Sequence, residues 1–362
     1  MSPRGRPNLP EEAYAVALAA APSIGPSALR RRLASGPPSA AWQRACGASG
    51  ASVHDVAGLW RRHTDLGIGV LMAGQPTYPA RLAEDPQRPA LLFCLGDPAT
   101  LNGAPTVALV GTRAPTRYGI GVAAQLAADL SAAGVSVVSG LALGIDGAAH
   151  EGACGAGAPP IGVVAGGLDD PYPRRHARLW DRVAALGAIV SESPAGVRTE
   201  KWRFPVRNRL LAGMSDVVVV VESRHHGGSR HTVDAAVARG IPVGAVPGSI
   251  RSPTSEGTNA LLADGAFPVC SAGDILVALS LAGWHVPAPD PGRAGATPTR
   301  TLAAEPASGD DGRVYDVLSP DPTSLDELAR AAGLDLPALC GALERLAQAG
   351  LARDVGGWWE RA

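Results

Sequence analysis

Lysine is almost absent from this 362-residue chain: Lys201 is the only one, so nearly all of the 32 basic residues are arginine. A Walker A loop needs Gly-Lys before Ser or Thr, and Lys201 sits between Glu200 and Trp202, which excludes a P-loop ATPase. A Schiff-base enzyme would have to use Lys201 itself. Arginine in place of lysine is read as the mark of a GC-rich genome, so each arginine needs its own argument. An excess of charge is lacking too. The formal net charge is −1, so nucleic-acid binding would have to rest on a local concentration of positive charge. Paired cysteines are missing: Cys46, Cys94, Cys154, Cys270 and Cys340 stand singly, with no CxxC and no histidine at ligand spacing. All five are expected to be buried apolar side chains. No apolar run approaches the ~18 residues that span a bilayer, and the opening MSPRGRPNLP lacks a signal-peptide stretch. The expected location is the cytoplasm, with no membrane partner.

What is present reads as a globular chain of two or three domains, with 46% hydrophobic and 18% charged residues. Residues 9 to about 65 form short helices. Glu11-Glu12 opens an apolar-periodic stretch, Ile24-Gly25-Pro26 breaks it and Ser27 can cap the next helix. We assign 1–65 to a small helical domain, SAM/helix-hairpin-helix-like. The Ile-Gly-Pro turn resembles those of helix-hairpin-helix DNA-binding modules and equally suits a plain packing turn. From Val107 the pattern changes to VALVG, VSVVSG, IGVVAGG, AIVSE, DVVVVVE and IPVGAVPG, alternating with helical stretches. Continuous β-branched runs mark strands buried on both faces, and the intervening helices imply right-handed crossovers. The expected fold class is therefore α/β, an extended Rossmann-like, doubly wound and mostly parallel sheet over 66–284. Val70–Met72 and Leu91–Phe93 are expected to add strands to it. Residues 285–309, rich in Pro, Ala and Gly, read as a linker. In 310–362 three short amphipathic helices followed by LARDVGGWWERA give a winged-helix-like outline. Its third helix offers only Arg345 as a basic side chain, so protein contact is as open there as DNA contact.

In a doubly wound sheet, ligands bind outside the carboxyl ends of the strands. Those ends carry Gly111-Thr112-Arg113, Ser139-Gly140, Gly166-Gly167, Ser191-Glu192-Ser193, Glu222 with Gly227-Gly228-Ser229, and Pro247-Gly248-Ser249. Glycine and serine there would let backbone N–H groups approach an anion, helped by the helix N-termini that follow. A phosphate-binding edge is the physical reading; a steric need for glycine at strand-to-helix turns is the other. A dinucleotide site fails on context. Gly119-Ile-Gly121-Val-Ala-Ala124 matches GxGxxA, but it lies inside the helix, and Ser139-Gly140 stands where a ribose-binding acid belongs.

The stretch Lys201-Trp202-Arg203-Phe204-Pro205-Val206-Arg207-Asn208-Arg209 interleaves four cations with two aromatics. Arginine grips phosphate bidentately, and an aromatic face stacks on a base at roughly 1–3 kcal/mol whatever the sequence. Asp146 and His150 lie at i, i+4 and are read as a structural hydrogen bond, with no nucleophile beside them. His225, His226 and His231 lack a converging carboxylate or cysteine, so no metal and no cofactor is expected.

The blocks GTRAPTRYG, SGLALGID, FPVRNRLLAGMSD and AVPGSIRSPTSEGTNALLADGA resemble the signature segments of the DNA-processing protein A (DprA/Smf) family, in order, from about Tyr78 to Ala266. The resemblance implies a non-catalytic domain that binds single-stranded DNA, forms homodimers and helps load RecA onto strands covered by single-strand-binding protein. It implies protection of incoming strands and a role in natural transformation. By motif it makes Gly111, Thr112 and Arg113 a phosphate-gripping turn, with Phe204, Arg207, Asn208 and Arg209 lining the pocket. Ser229 and Gly248 join them. Ser139, Gly140, Lys201, His226, Gly228 and Arg230 complete the candidate site. The chain departs from the family pattern at His226-Gly227-Gly228-Ser229-Arg230, where Lys-Ser-Gly-Ser-Leu is usual, and at His176, where asparagine is usual. The alternative function is a nucleoside-monophosphate phosphoribohydrolase of the lysine-decarboxylase-like Rossmann group. That group's Pro-Gly-Gly-x-Gly-Thr-x-x-Glu block carries its acid, whereas here Gly227 to Asp234 puts the carboxylate at the wrong spacing.

Overall fold

A computed structural model describes residues 9–22, 24–49, 56–284, 309–319, 322–354 and 357–361. They form two compact units, divided within the 285–308 stretch that lies outside the described residues, as does all of the expected linker but Gly309. No described helix is long and apolar enough to cross a membrane.

The first unit begins with helices α1 (Glu11–Ala20), α2 (Pro26–Ala34), α3 (Pro38–Ser49) and α4 (Val56–Asp65). A sheet follows, of β1 (Gly69–Met72), β2 (Leu91–Gly96), β3 (Thr106–Val110), β4 (Ser136–Ser139), β5 (Ile161–Val163), β6 (Ala188–Ser191), β7 (Val217–Val220), β8 (Val243–Ala245) and β9 (Phe267–Pro268). Its connecting helices are α5 (Ala80–Ala83), α6 (Arg117–Ala132), α7 (Ile145–Ala153), α8 (Ala177–Leu186), α9 (Arg203–Gly213), α10 (Arg230–Val237), α11 (Glu256–Ala263) and α12 (Ala272–Leu281). The strand order is β1-β2-β6-β5-β4-β3-β7-β8-β9, parallel from β6 to β9. The chain lays down β3, β4, β5 and β6 in one direction, then returns past β3 to add β7, β8 and β9. That reversal puts a crevice at the carboxyl ends of the central strands.

The β-branched runs form the strands as expected, because β3 and β7 are buried on both faces and Val107–Val110 pairs with Val217–Val220. Val70–Met72 and Leu91–Phe93 do add strands, and they run antiparallel at one edge. Strand β9 at the other edge is two residues long, too short to leave a periodic pattern in sequence. Helices α1–α4 share a core with the sheet: Val16, Leu18 and Trp42 belong to one buried cluster with Leu91, Phe93 and Ile189. His63 pins that join. Its buried ring donates from Nδ1 to the Leu59 carbonyl at 2.8 Å and accepts the Ala195 N–H at Nε2 at 3.0 Å, and burial lowers its pKa.

The second unit contains α13 (Asp310–Val317), α14 (Leu325–Ala332), α15 (Leu336–Gln348) and a three-stranded sheet of β10 (Thr323–Ser324), β11 (Ala352–Asp354) and β12 (Trp358–Arg361), ordered β10-β12-β11. Ser324 and Glu327 form a reciprocal cap on α14, and Gly333 closes it in the left-handed region, φ +64°. Val314, Leu328, Leu339, Leu343 and Leu346 make its core. This is the winged-helix arrangement.

The cysteine expectation needs correction. Cys94 is buried and Cys154 half-buried, but Cys270 and Cys340 are exposed; the Cys46 side chain lies outside the described residues. Cys270 falls in the turn that starts α12, where its N–H donates to Asp274, and Cys340 lies on the outer face of α15. A turn and a solvent face override a small side chain's preference for the interior.

The amino-terminal starts of β3 and β7, at the edge opposite the crevice, are tied to α5 by one ion pair. Arg81 donates to both oxygens of Asp216, at 3.0 and 2.8 Å, while Asp216 also accepts the Thr106 N–H at 2.8 Å. Each charged side chain is 14% exposed. Asp216→Ala is expected to cost roughly 3 kcal/mol, because it strands a largely buried guanidinium. A urea midpoint displaced by less than about 0.5 kcal/mol equivalent would contradict that.

Candidate nucleic-acid interface

A cleft of about 320 Å³ opens at the carboxyl edge between β3, β7, α9 and the loop before α10. Of the residues singled out in sequence it gathers Gly111, Thr112, Arg113, Phe204, Arg207, Asn208, His226, Gly228 and Ser229. Ser139, Gly140, Lys201, Arg209, Arg230 and Gly248 do not line it. It also takes in Asp146, Arg224 and His231, which sequence reasoning did not assign to it.

Most glycines on this edge make room for protein atoms rather than for a ligand. A Cβ on Gly111 would stand 2.6 Å from Ile145 Cγ1 and 2.7 Å from the Glu222 carbonyl. On Gly140 it would strike the Arg207 guanidinium, on Gly166 Thr199, on Gly227 Ser223, and on Gly248 Ser255. Of the glycines at these strand ends, Gly228 alone faces open space. The steric cause accounts for the rest, and the backbone donors follow suit: Thr112 N–H goes to the Glu222 carbonyl at 2.8 Å and Gly248 N–H to Asn259 at 3.2 Å.

Glu222 explains why no dinucleotide turn forms. Its buried carboxylate accepts the Thr116 N–H at 2.8 Å and the Thr116 hydroxyl at 2.6 Å, at the very start of α6. A helix N-terminus favours an anion, and here the protein supplies its own. The same carboxylate would collide with a Cβ at Gly119, so the first glycine of the GxGxxA match serves this contact.

Beneath the cleft lies Arg207, 5% exposed. Its guanidinium donates to the Gly140 carbonyl at 3.0 Å and to the Val163 carbonyl. Asp146 flanks the same Cα of Gly140. Burial drives both groups toward neutrality: Arg207 is lowered to about 10 despite the Asp146 charge, and Asp146 is raised against the pull of Arg207 and Arg113. The i, i+4 reading of Asp146 with His150 is therefore corrected: Asp146 faces the arginines, and the His150 ring lies instead against the Ser139 backbone.

On the surface above, the Arg113 guanidinium lies 4.1 Å from the centroid of the Phe204 ring, and the Tyr172 ring is tilted against the same ring with centroids 6.1 Å apart. Arg113 is exposed and Tyr172 is 50% exposed. Asn208 donates to the Gly228 carbonyl at 3.1 Å, which fixes the glycine loop to α9. His226 and Arg224 stand exposed at the rim, and the His225 and His226 rings meet edge to face at 4.6 Å. The remaining candidates have other partners or places. Ser139 donates to the Leu109 carbonyl at 2.6 Å within the sheet. Arg209 pairs with Glu192 at 2.5 Å on the far side of α9. Lys201 and Arg230 are exposed outside the cleft. His176 hydrogen-bonds through Nδ1 to the carbonyl of Leu141 at 3.0 Å, and Leu141 carries a left-handed φ of +54°. In the second unit Arg345 is held by Asp311 through contacts of 2.6 to 3.0 Å, so the third helix's one cation is already paired.

The model of the DNA recombination-mediator protein A family matches residues 69–280, and that of the DprA winged helix domain matches residues 298–357. The chain is 42% identical over 275 residues to the putative DNA processing protein DprA of Mycobacterium tuberculosis, covering 75% of this chain and 68% of that one. It resembles the structure of DprA from Streptococcus pneumoniae with a TM-score of 0.64 at 28% identity, over 74% of this chain and 98% of that one. DprA from Helicobacter pylori, solved for its single-stranded DNA binding mode, matches with a TM-score of 0.53 at 30% identity, over 60% of this chain and 97% of that one.

His150 yields a pH prediction. Burial lowers its pKa to about 4, from about 6.5 in the unfolded chain. The folded form thus holds the neutral ring, and its stabilising contribution is complete above about 6.5 and declines as pH falls toward about 4. The loss is about 3 kcal/mol. The stability of wild type relative to His150→Leu should fall by about 3 kcal/mol between pH 7 and pH 4; a difference that stays constant over that window would refute the assignment.

Proposed function

This chain belongs to the DNA recombination-mediator protein A (DprA/Smf) family, and on that premise we propose that its carboxyl-edge cleft binds single-stranded DNA without catalysing a reaction. The observation that carries the reading is the stack of the exposed Arg113 on the half-buried Phe204 ring beside the exposed Tyr172, at the mouth of a cleft whose rim is cationic. Arg113 has a fork of donors for a phosphate, and the aromatic faces offer stacking to bases of any sequence. The H. pylori DprA described for single-stranded DNA binding shares this fold, which supports the reading. Asp234, at the position nearest to the phosphoribohydrolase acid, is exposed and does not line the cleft, which speaks for binding over hydrolysis.

From family membership we further infer that the protein acts as a homodimer in the cytoplasm, shields incoming strands and hands them from single-strand-binding protein to RecA. Recombination and natural transformation are the processes served. The winged helix, with Arg345 spent on Asp311, suits contact with protein better than with a DNA groove.

Arg113→Ala is expected to weaken single-strand binding by about 1–3 kcal/mol, equally for all sequences, and to reduce the salt slope by roughly 0.7. Unchanged affinity at moderate salt removes Arg113 from the site. Duplex should bind more weakly than single strand of equal length, since paired bases cannot stack on Phe204 and Tyr172. Equal affinity for the two would count against the cleft as the site.

A further inference from the structure

Helix α9 has a second hollow on its other side. It measures about 420 Å³ and lies between α9, the carboxyl end of α1 and the start of α2. Ile24, Leu29, Leu91 and Leu210 give it apolar walls, and Trp202, 58% exposed, stands beside them. Two polar groups on the wall are incompletely used. Arg203 Nε is buried with no hydrogen-bond partner among the described residues and suits an acceptor such as a ring carbonyl; Glu192 is the other. Glu192 accepts Arg209 at one oxygen, at 2.5 Å, while its other oxygen accepts no hydrogen bond among the described residues. Because the Glu192–Arg209 pair is already neutral overall, that oxygen suits a neutral N–H donor rather than a further cation. A purely apolar occupant would leave it desolvated and unpaired, which is costly.

The hollow also adjoins the interface described above across α9. Arg207 lines both, and Trp202 is two residues from Phe204 on the same segment, a rise of about 3 Å along a helix. Resting on the single-stranded DNA reading, we propose that this hollow receives one base turned out of the bound strand. The base it favours bears amino-type donors, guanine foremost. Guanine presents two adjacent donors, N1–H and N2–H, to a carboxylate oxygen. Thymine presents a single N–H flanked by two carbonyls, whose lone pairs repel that oxygen. Trp202 and the apolar walls take the faces of the ring, as aromatic platforms do for single strands. The protein is then tolerant of sequence along the Arg113 cleft and selective at one nucleotide.

The test compares, by fluorescence anisotropy at fixed salt, an oligothymidylate of about twenty nucleotides with the same strand carrying one central guanine or one central inosine. The guanine strand should bind about tenfold more tightly, as a hydrogen bond to a charged group warrants, with inosine between the two. Gly25→Phe should fill the hollow, since a Cβ there meets no atom within 4 Å. It should bring the guanine strand down to the oligothymidylate level while oligothymidylate binds as in wild type. Val206→Phe fills the hollow from the α9 side, at a position 39% exposed, and serves if Gly25→Phe melts early. Equal affinity of guanine and thymine strands, or a guanine advantage that survives both fillings, overturns this pocket and leaves the cleft standing. Failure to bind any oligothymidylate overturns both.

Discussion

A guanidinium that is 5% exposed must be satisfied from within, and Arg207 sets the terms for everything around the cleft. Burying a charge without partners costs more than a fold of this size can spare. Two carbonyls from the ends of neighbouring strands and the nearby Asp146 carboxylate meet that need. The consequence is geometric. The carbonyls belong to Gly140 and Val163, so Arg207 clamps α9 to the mouths of β4 and β5, and Gly140 must lack a side chain for the clamp to close. Removing Arg207 would leave Asp146 buried and unpaired, the more damaging half of such a change.

What faces solvent follows from that clamp. Phe204 is one helical turn before Arg207, so fixing Arg207 fixes the ring on which Arg113 lies. Asn208, the next residue, holds the Gly228 loop to the same helix. The cleft therefore has a rigid floor of buried charge and a surface of aromatic and cationic groups, with its partners drawn from α9 on one side and the β3 and β7 turns on the other. Glu222 performs the parallel task for α6, where a protein carboxylate fills the anion position of the helix N-terminus. The Rossmann-like turn is thereby closed to a dinucleotide, and the cleft shifts toward α9 and α10.

Much of this was legible in the sequence, for unequal reasons. Runs such as Val217–Val221 declare strands buried on both faces, and their alternation with helices predicts the parallel sheet. The interleaved segment around Phe204 was visible as composition, and it does meet Gly111, Thr112 and Arg113 in space. The glycines were visible too, but sequence cannot tell a glycine that admits a phosphate from one that admits Ile145 or Ser255. Asp146 was matched to His150 by helical spacing, whereas its electrostatic partner Arg207 is 61 positions away on α9 and leaves no local signal. Arg209 looked like another phosphate ligand until the structure set Glu192 against it. Spacing along a chain reports neighbours on one element; contacts between strand ends are set by topology.

The central claim is that single-stranded DNA lies on the carboxyl edge against Phe204 and Tyr172. Photo-crosslinking of a strand containing 5-iodouracil, followed by mass-spectrometric mapping of the adducts, tests it most directly. The account predicts adducts at Phe204 and Tyr172 that decline sharply in Arg113→Ala. Adducts confined to the winged helix or to the α1–α4 surface away from α9, and unaffected by that substitution, would contradict it.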